Sequence, residues 1–193
     1  MVKWRRAKGW SRWGVVSVVG AALALSACSP GAGQDSPPAP VDVTGSVVTL
    51  EDGRVTSLCF SYETDASVEW VLSPYADACA ADIGMQGGDA LTQIQVHATN
   101  AFYGPKEFAE MAAANGLGVM SSSAVQVKAG MASRLDATDA LGLSLTVILV
   151  PLPVGRYFTG DVALEAVWIS AYTYNEELER VLMGVVTSIE IAP

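Results

Sequence analysis

Apolar positions fall into three regimes along this 193-residue chain. From Gly14 to Leu25 they form a run of twelve residues with no charge and a single Ser. From Ser29 to Pro40 there is no large apolar residue, and four positions are Pro. From Val41 onward apolar residues recur in short runs, spaced as half-buried strands and helices space them.

The third regime predicts the elements of a folded domain. Ser46–Leu50 and Val55–Phe60 are β-rich runs flanking Glu51-Asp52-Gly53-Arg54, and Asp-Gly between such runs predicts a hairpin. Val68, Trp70 and Leu72 alternate with Glu69 and Val71, which predicts a short strand stopped by Ser73-Pro74. The Ala-rich stretch from Tyr75 to Asp82 is read as one helical turn carrying Cys79, and Gln86–Asp89 as a loop. Leu91 to Ala98 alternates, with Ile94, Val96 and Ala98 on one face and Gln93, Gln95 and His97 on the other. Pro105 opens a helix at the position where its missing N–H costs nothing, and Asn115-Gly116 closes it.

The second half predicts further strands. Val125–Val127 leads through Gly130 to Ala132–Leu135, and Asp136–Gly142 reads as a polar connection. Leu143–Val150 is apolar on both faces, as a covered central strand would be. Pro151–Asp161 reads as an eleven-residue loop, and Val162–Tyr174 as the next strand. Asn175 caps a last helix with Glu176 and Glu177 in its first turn, where their charge suits the helix dipole. The predicted fold class is α/β (α+β), an antiparallel sheet sandwiched between helices.

The first regime changes the picture of where this domain sits. Lys3, Arg5, Arg6, Lys8 and Arg12 precede the apolar run, which is shorter than the ~20 residues that span a bilayer core. Basic start, short apolar run and small residues at its end are the parts of an export signal. The run closes on Leu25-Ser26-Ala27-Cys28, which resembles the bacterial lipobox. That resemblance implies diacylglyceryl, and then acyl (palmitate), transfer to Cys28 with cleavage before it. An ordinary secretory signal or an uncleaved anchor is the alternative. Two or three acyl chains on one Cys hold a protein firmly. The expected organisation is a signal peptide over 1–27, lipidated Cys28 with a flexible tether over 28–40, and one domain over 41–193. The tether reaches about 30–40 Å if it adopts polyproline geometry. The expected location is the extracytoplasmic face of the cell membrane.

Charge and cysteine usage narrow the function classes. The segment before Cys28 holds five of the eleven basic residues and none of the twenty acidic ones. The remaining 166 residues therefore carry six basic against twenty acidic groups, a formal charge of −14. Such a surface repels phosphate backbones, so nucleic acid is not an expected partner. Cys59 and Cys79 then form an even pair, read as a disulfide with two buried free thiols as the alternative. Closing that loop stabilises a fold by roughly 3 kcal/mol.

Four pieces of the chain resemble the PsbP-like superfamily, in particular its exported Lpq-type actinobacterial lipoproteins. They are Phe60-Ser61-Tyr62 ahead of the Trp70 strand, the helix around Phe108-Ala109-Glu110, the turn from Lys128 to Leu135, and the ending from Glu176 through Ile191. Glu63 stands where that family usually has a proline soon after the Phe-x-Tyr step. The resemblance implies a sheet between helices and a non-catalytic role in docking, assembly, or lipid and glycolipid handling.

Candidate chemistry is thin beside that expectation. His97 could join Ser121, Ser122 or Ser123 and Asp136 or Asp139 in a triad on paper, but no nucleophile elbow accompanies them. Glu63 with Asp65, and Glu176 with Glu177, are acidic pairs near in sequence only, which helix-start and surface roles explain. One His and no Cys cluster or calcium-loop spacing point to no metal or cofactor. Trp168, Tyr172 and Tyr174 alternate on one strand, where covering the core is the plain reading. Arg156, Tyr157 and Phe158, in the long predicted loop, are the candidate contact for a protein partner or an acyl chain. The expected function is a membrane-anchored binding or scaffold protein that is not an enzyme, with a lipid or glycolipid carrier as the alternative and a hydrolase behind both.

Overall fold

The structure is a computed structural model that describes residues 39–42 and 48–192. Cys28 and the export segment lie outside the described residues. In chain order the elements are β1 (Val41–Asp42), β2 (Thr49–Glu51), β3 (Arg54–Thr56), β4 (Phe60–Glu63), β5 (Trp70–Leu72), β6 (Ile83–Met85) and β7 (Gln93–Thr99). There follow α1 (Pro105–Ala114), β8 (Gly118–Val127), β9 (Gly130–Thr138), β10 (Ser144–Pro151), β11 (Tyr157–Thr159), β12 (Val162–Leu164), β13 (Ala166–Tyr172), α2 (Glu176–Ser188) and β14 (Glu190–Ile191).

The main sheet has seven strands in the order β5-β6-β7-β13-β10-β9-β8. Every pairing in it is antiparallel. A second sheet runs β14-β4-β3-β2 and a third β1-β11-β12. Fourteen strands against two α-helices make the described chain mainly β, with the second sheet sharing the core of the first in sandwich-like fashion. This corrects the expected α/β plan of an antiparallel sheet sandwiched between helices. The cause is local. Val55, Phe60, Tyr62, Tyr157 and Leu164 sit on short strands of the two smaller sheets and join the core there. The expected plan left residues 157–159 in a loop and assigned no strand to 83–85.

The core is two clusters on opposite faces of the seven-stranded sheet. Alternation along β10 sends Val147 and Leu149 one way and Ile148 and Val150 the other. Phe108 and Ala112 of α1 pack with Val147, Leu149, Leu135 and Ala137. Val181, Leu182, Val185 and Val186 of α2 pack with Ile148, Val150, Val167 and Ile169, together with Phe60 and Tyr62 of the second sheet. Both helices begin where their caps place them. Pro105 is the first residue of α1, and the Asn175 side chain accepts from the Leu178 N–H at 2.9 Å. The hairpin between β2 and β3 turns at Asp52 (φ 50°) and Gly53 (φ 75°), the paired left-handed residues of a tight two-residue hairpin turn.

Candidate functional site

Cys59 and Cys79 are joined in a disulfide with Cα atoms 5.3 Å apart. Both are buried. The bond ties the entry of β4 to the connection between β5 and β6, where Leu58 N–H also donates to the Ala78 carbonyl at 2.9 Å. The stretch read as a helical turn around Cys79 is two tight turns instead, closed by Ala76 N–H on the Ser73 carbonyl and Ala80 N–H on the Asp77 carbonyl. Asp77 and Ala80 bridge each other, and Ala80 bridges His97. Backbone bonds from Ala81 N–H to Val96 and from Ala98 N–H to Cys79 hold it against β7, and the disulfide ties it to the entry of β4.

Arg156, Tyr157 and Phe158 do not form an exposed loop tip. Tyr157 and Phe158 pair in β11, parallel to β1 and antiparallel to β12. Tyr157 is only 1% exposed, and its hydroxyl donates to the Ala192 carbonyl. Burial pushes the Tyr157 hydroxyl pKa up, with the adjacent Arg156 acting against that. Phe158 is half-buried, and Arg156 bonds to the Ala39 carbonyl while its guanidinium lies 5.9 Å from the Tyr157 ring. The trio therefore secures the point where the chain enters the domain, and Tyr157 is not available as a docking aromatic.

The residues proposed for a triad are not brought together. His97 is on β7, while Ser121, Ser122 and Ser123 are on β8 at the far edge of the sheet. Four strand spacings separate these strands, roughly 19 Å at ~4.8 Å each. Ser121 donates to Asp136 at 2.8 Å, Asp136 also accepts from Arg134 and Thr146, and Asp139 accepts from Tyr172 at 3.2 Å. Glu63 stands 3.7 Å from Arg54, Asp65 pairs with Arg180, and Glu176 and Glu177 are exposed at the start of α2. Among the described residues no group of three or more His, Cys, Asp or Glu could hold a metal ion.

Trp168 is half-buried under α1, edge-on to Phe108 at 6.0 Å. His97 stacks on its other side with 6.2 Å between ring centroids. Its indole N–H donates to Ser170 Oγ at 2.9 Å, which donates on to Gln95 at 3.3 Å. Tyr174 is 48% exposed.

An open depression with mixed apolar and acidic lining lies at the β5 edge of the same sheet. Val71, Gly84 and Gln93 stand in register on β5, β6 and β7. Gly84 contributes no side chain between its two neighbours, so the sheet surface dips there. The dip opens into a trough of about 410 Å³. One wall is apolar, with Val71, Pro74 and Tyr75, and the other polar, with Asp82, Asp89 and Gln93. Tyr75 is 87% exposed and Val71 47% exposed. None of the residues lining the trough is Lys or Arg.

The acidic wall is fixed in place by the backbone. Asp82 accepts from Val96 N–H at 2.8 Å and stands 3.9 Å from His97 Nδ1. Asp89 caps the short 3-10 turn at Ala90–Thr92, accepting from Leu91 N–H at 2.9 Å. The strand pattern at Val68–Leu72 was legible in the sequence, but the pairing that sets Val71 beside Gly84 was not. A second depression of about 600 Å³ lies around the β2–β3 hairpin, lined by Glu51, Arg54 and Glu63 among others.

No protein-family model matches this chain. No curated protein matches it either.

Proposed function

We propose that this chain is a membrane-anchored extracytoplasmic lipoprotein that acts by binding, as a docking or scaffold protein in the cell envelope, and not as an enzyme. The anchor rests on the basic n-region, the short apolar run and Cys28 at its end. The binding role rests on one observation, the open trough between Tyr75 and Asp89 with its apolar and acidic walls. The partner it suits is an envelope protein presenting an extended segment with a Lys or Arg beside an apolar residue, because the trough offers carboxylates and an aromatic face and no cation of its own.

The carrier reading has less support. The helix faces that a lipid cleft would need to part are occupied, with Val181, Leu182, Val185 and Val186 all at most 2% exposed against the sheet.

Two experiments test the proposal. Cys28→Ala should move the protein out of the membrane fraction, and retention would contradict the anchor. A photo-crosslinker placed at Tyr75 in the intact envelope should capture a discrete partner, and the same probe at Leu141, 83% exposed and outside the trough, should not. Equal capture at both positions would remove the trough as the site.

A further inference from the structure

The seven-stranded sheet ends differently on its two sides. β5 is three residues long, preceded by Glu69 and followed by Ser73-Pro74. A short strand flanked by a charge and a proline is how a sheet edge is kept from pairing with another chain. β8, at the other end, is ten residues long, Gly-Val-Met-Ser-Ser-Ser-Ala-Val-Gln-Val, with no charged residue and no proline. Its one irregularity is a bulge at Met120, between Val119 and Ser121, which leaves Ser121–Val127 as regular strand. Among the described residues no strand pairs with the outer side of β8. Ser121, Ser123, Ala124 and Gln126 are exposed, and Met120 is 59% exposed.

We propose that β8 is the self-association edge of this protein, pairing antiparallel with β8 of a second copy so that two seven-stranded sheets join into one. A row of unpaired backbone N–H and C=O groups accepts only another extended strand in full. Charge confines self-pairing to this edge. The chain carries a formal charge of −9, so two copies repel across most of their surface. The uncharged Gly118–Val127 edge lets their backbones meet without placing like charges opposite one another. Several ionic groups beside the edge are already matched, Lys128 with Glu190, Arg134 with Asp136 and Glu179, and Lys106 with Glu110 on α1. An antiparallel pair of identical strands is two-fold by construction, and the blunted β5 edge offers no second site, so the assembly closes as a dimer and does not grow into a fibre.

Cysteine crosslinking of the full chain in its own envelope tests this. Single variants Ser121→Cys, Ser123→Cys and Val125→Cys are treated with a short bis-maleimide, with Val71→Cys on the opposite edge as control. Because Cys59 and Cys79 are joined, the new thiol is the reactive one in the domain. The expected result is a band at twice the monomer mass, strongest for the residue on the two-fold axis, and none for Val71→Cys. Adding Ser121→Lys and Gln126→Lys to Ser123→Cys should reduce that band at least tenfold, since the two joined edges then crowd four like charges along one seam. A crosslink of any other mass would assign the edge to a different protein's strand and overturn the proposal. Absence of a dimer band, an equal band from Val71→Cys, or a band indifferent to the Lys pair would overturn it too. Crosslinking from Tyr75 reads the trough independently, so failure at one site leaves the other standing.

Discussion

Val71 and Gln93 flank Gly84 in a single cross-strand row, and the missing side chain between them makes the floor of the trough. A Cβ added to Gly84 would meet only Gln93 Cγ, at 3.4 Å, which is ordinary contact. Gly84 is not among the residues with positive φ, so Ala fits its backbone. Gly84→Ala should therefore leave stability unchanged or raise it by about 0.4–1 kcal/mol through the unfolded chain. Gly84→Leu should fill the trough and lower partner capture from a probe at Tyr75 by tenfold or more. Thermal melts alongside the capture assay separate the two effects. Capture that survives Gly84→Leu would show that the partner does not enter the trough.

Tyr157 illustrates how an aromatic residue in a loop-like sequence can be structural. Its backbone pairs with β1 and β12, its ring is buried, and its hydroxyl holds the Ala192 carbonyl. Tyr157→Phe should cost about 1 kcal/mol by losing that bond. Tyr157→Ala should cost about 3–5 kcal/mol, the usual loss for a large buried ring. Urea unfolding measures both. Phe158→Ala, at a half-buried position, should cost less than Tyr157→Ala, and equal losses would argue against the burial difference.

What the sequence made legible follows the strength of local signals. Pro105 with Asn115-Gly116 bounded α1, and Asn175 with its acidic first turn bounded α2, because caps act through the nearest few residues. Asp52-Gly53 marked its hairpin for the same reason. β8 was seen only from Val125 to Val127, since Ser121-Ser122-Ser123 on an exposed edge has no apolar alternation to read. β11 was missed because Tyr157 and Leu164 acquire partners from β1, Ala192 and each other's strands, contacts that are distant in sequence or hidden in a loop-like composition. The Ala-rich 75–82 stretch looked helical by composition, but it folds as tight turns pinned by the disulfide to Cys59 and by bonds to β7. The trough was invisible for a related reason, since the row Val71-Gly84-Gln93 depends on register across three strands. The paper triad failed by the same measure, its Ser and His lying four strands apart.

The Cys59–Cys79 bond closes a loop with a sequence separation of 20 between buried residues. Replacing both by Ala should cost about 3 kcal/mol on loop-closure grounds. The folded protein should resist dithiothreitol at moderate temperature, because Cys59 is fully buried and Cys79 is 5% exposed. Adding the reductant in urea should then lower the unfolding midpoint by an amount matching the double variant. A midpoint unchanged by both treatments would mean that the crosslink does not restrict the unfolded chain.

Acid should loosen the domain through carboxylates whose pKa values folding lowers. Bonds from the Ser67 hydroxyl and backbone, then from Arg180, bring Asp65 from 3.8 to about 2. Burial pushes Asp136 the other way, but bonds from Arg134, Ser121 and Thr146 outweigh it and its pKa also falls. Glu190 is lowered by Lys128 and then Arg54. A carboxylate lowered by folding stabilises the protein fully above its unfolded value and loses that contribution as pH falls through its folded value. For Asp65 the window runs from pH 3.8 down to about 2. Asp65→Asn should therefore be less stable than the parent at pH 7, and the gap should narrow steadily across that window until both denature alike. Asp136→Asn should show the same closing gap at acid pH. Its effect also reaches β8, because Asp136 holds the Ser121 hydroxyl at 2.8 Å. Urea midpoints at pH 7, 4 and 2.5 decide the matter, and a gap that stays constant with pH would show that these carboxylates act through packing and not through charge.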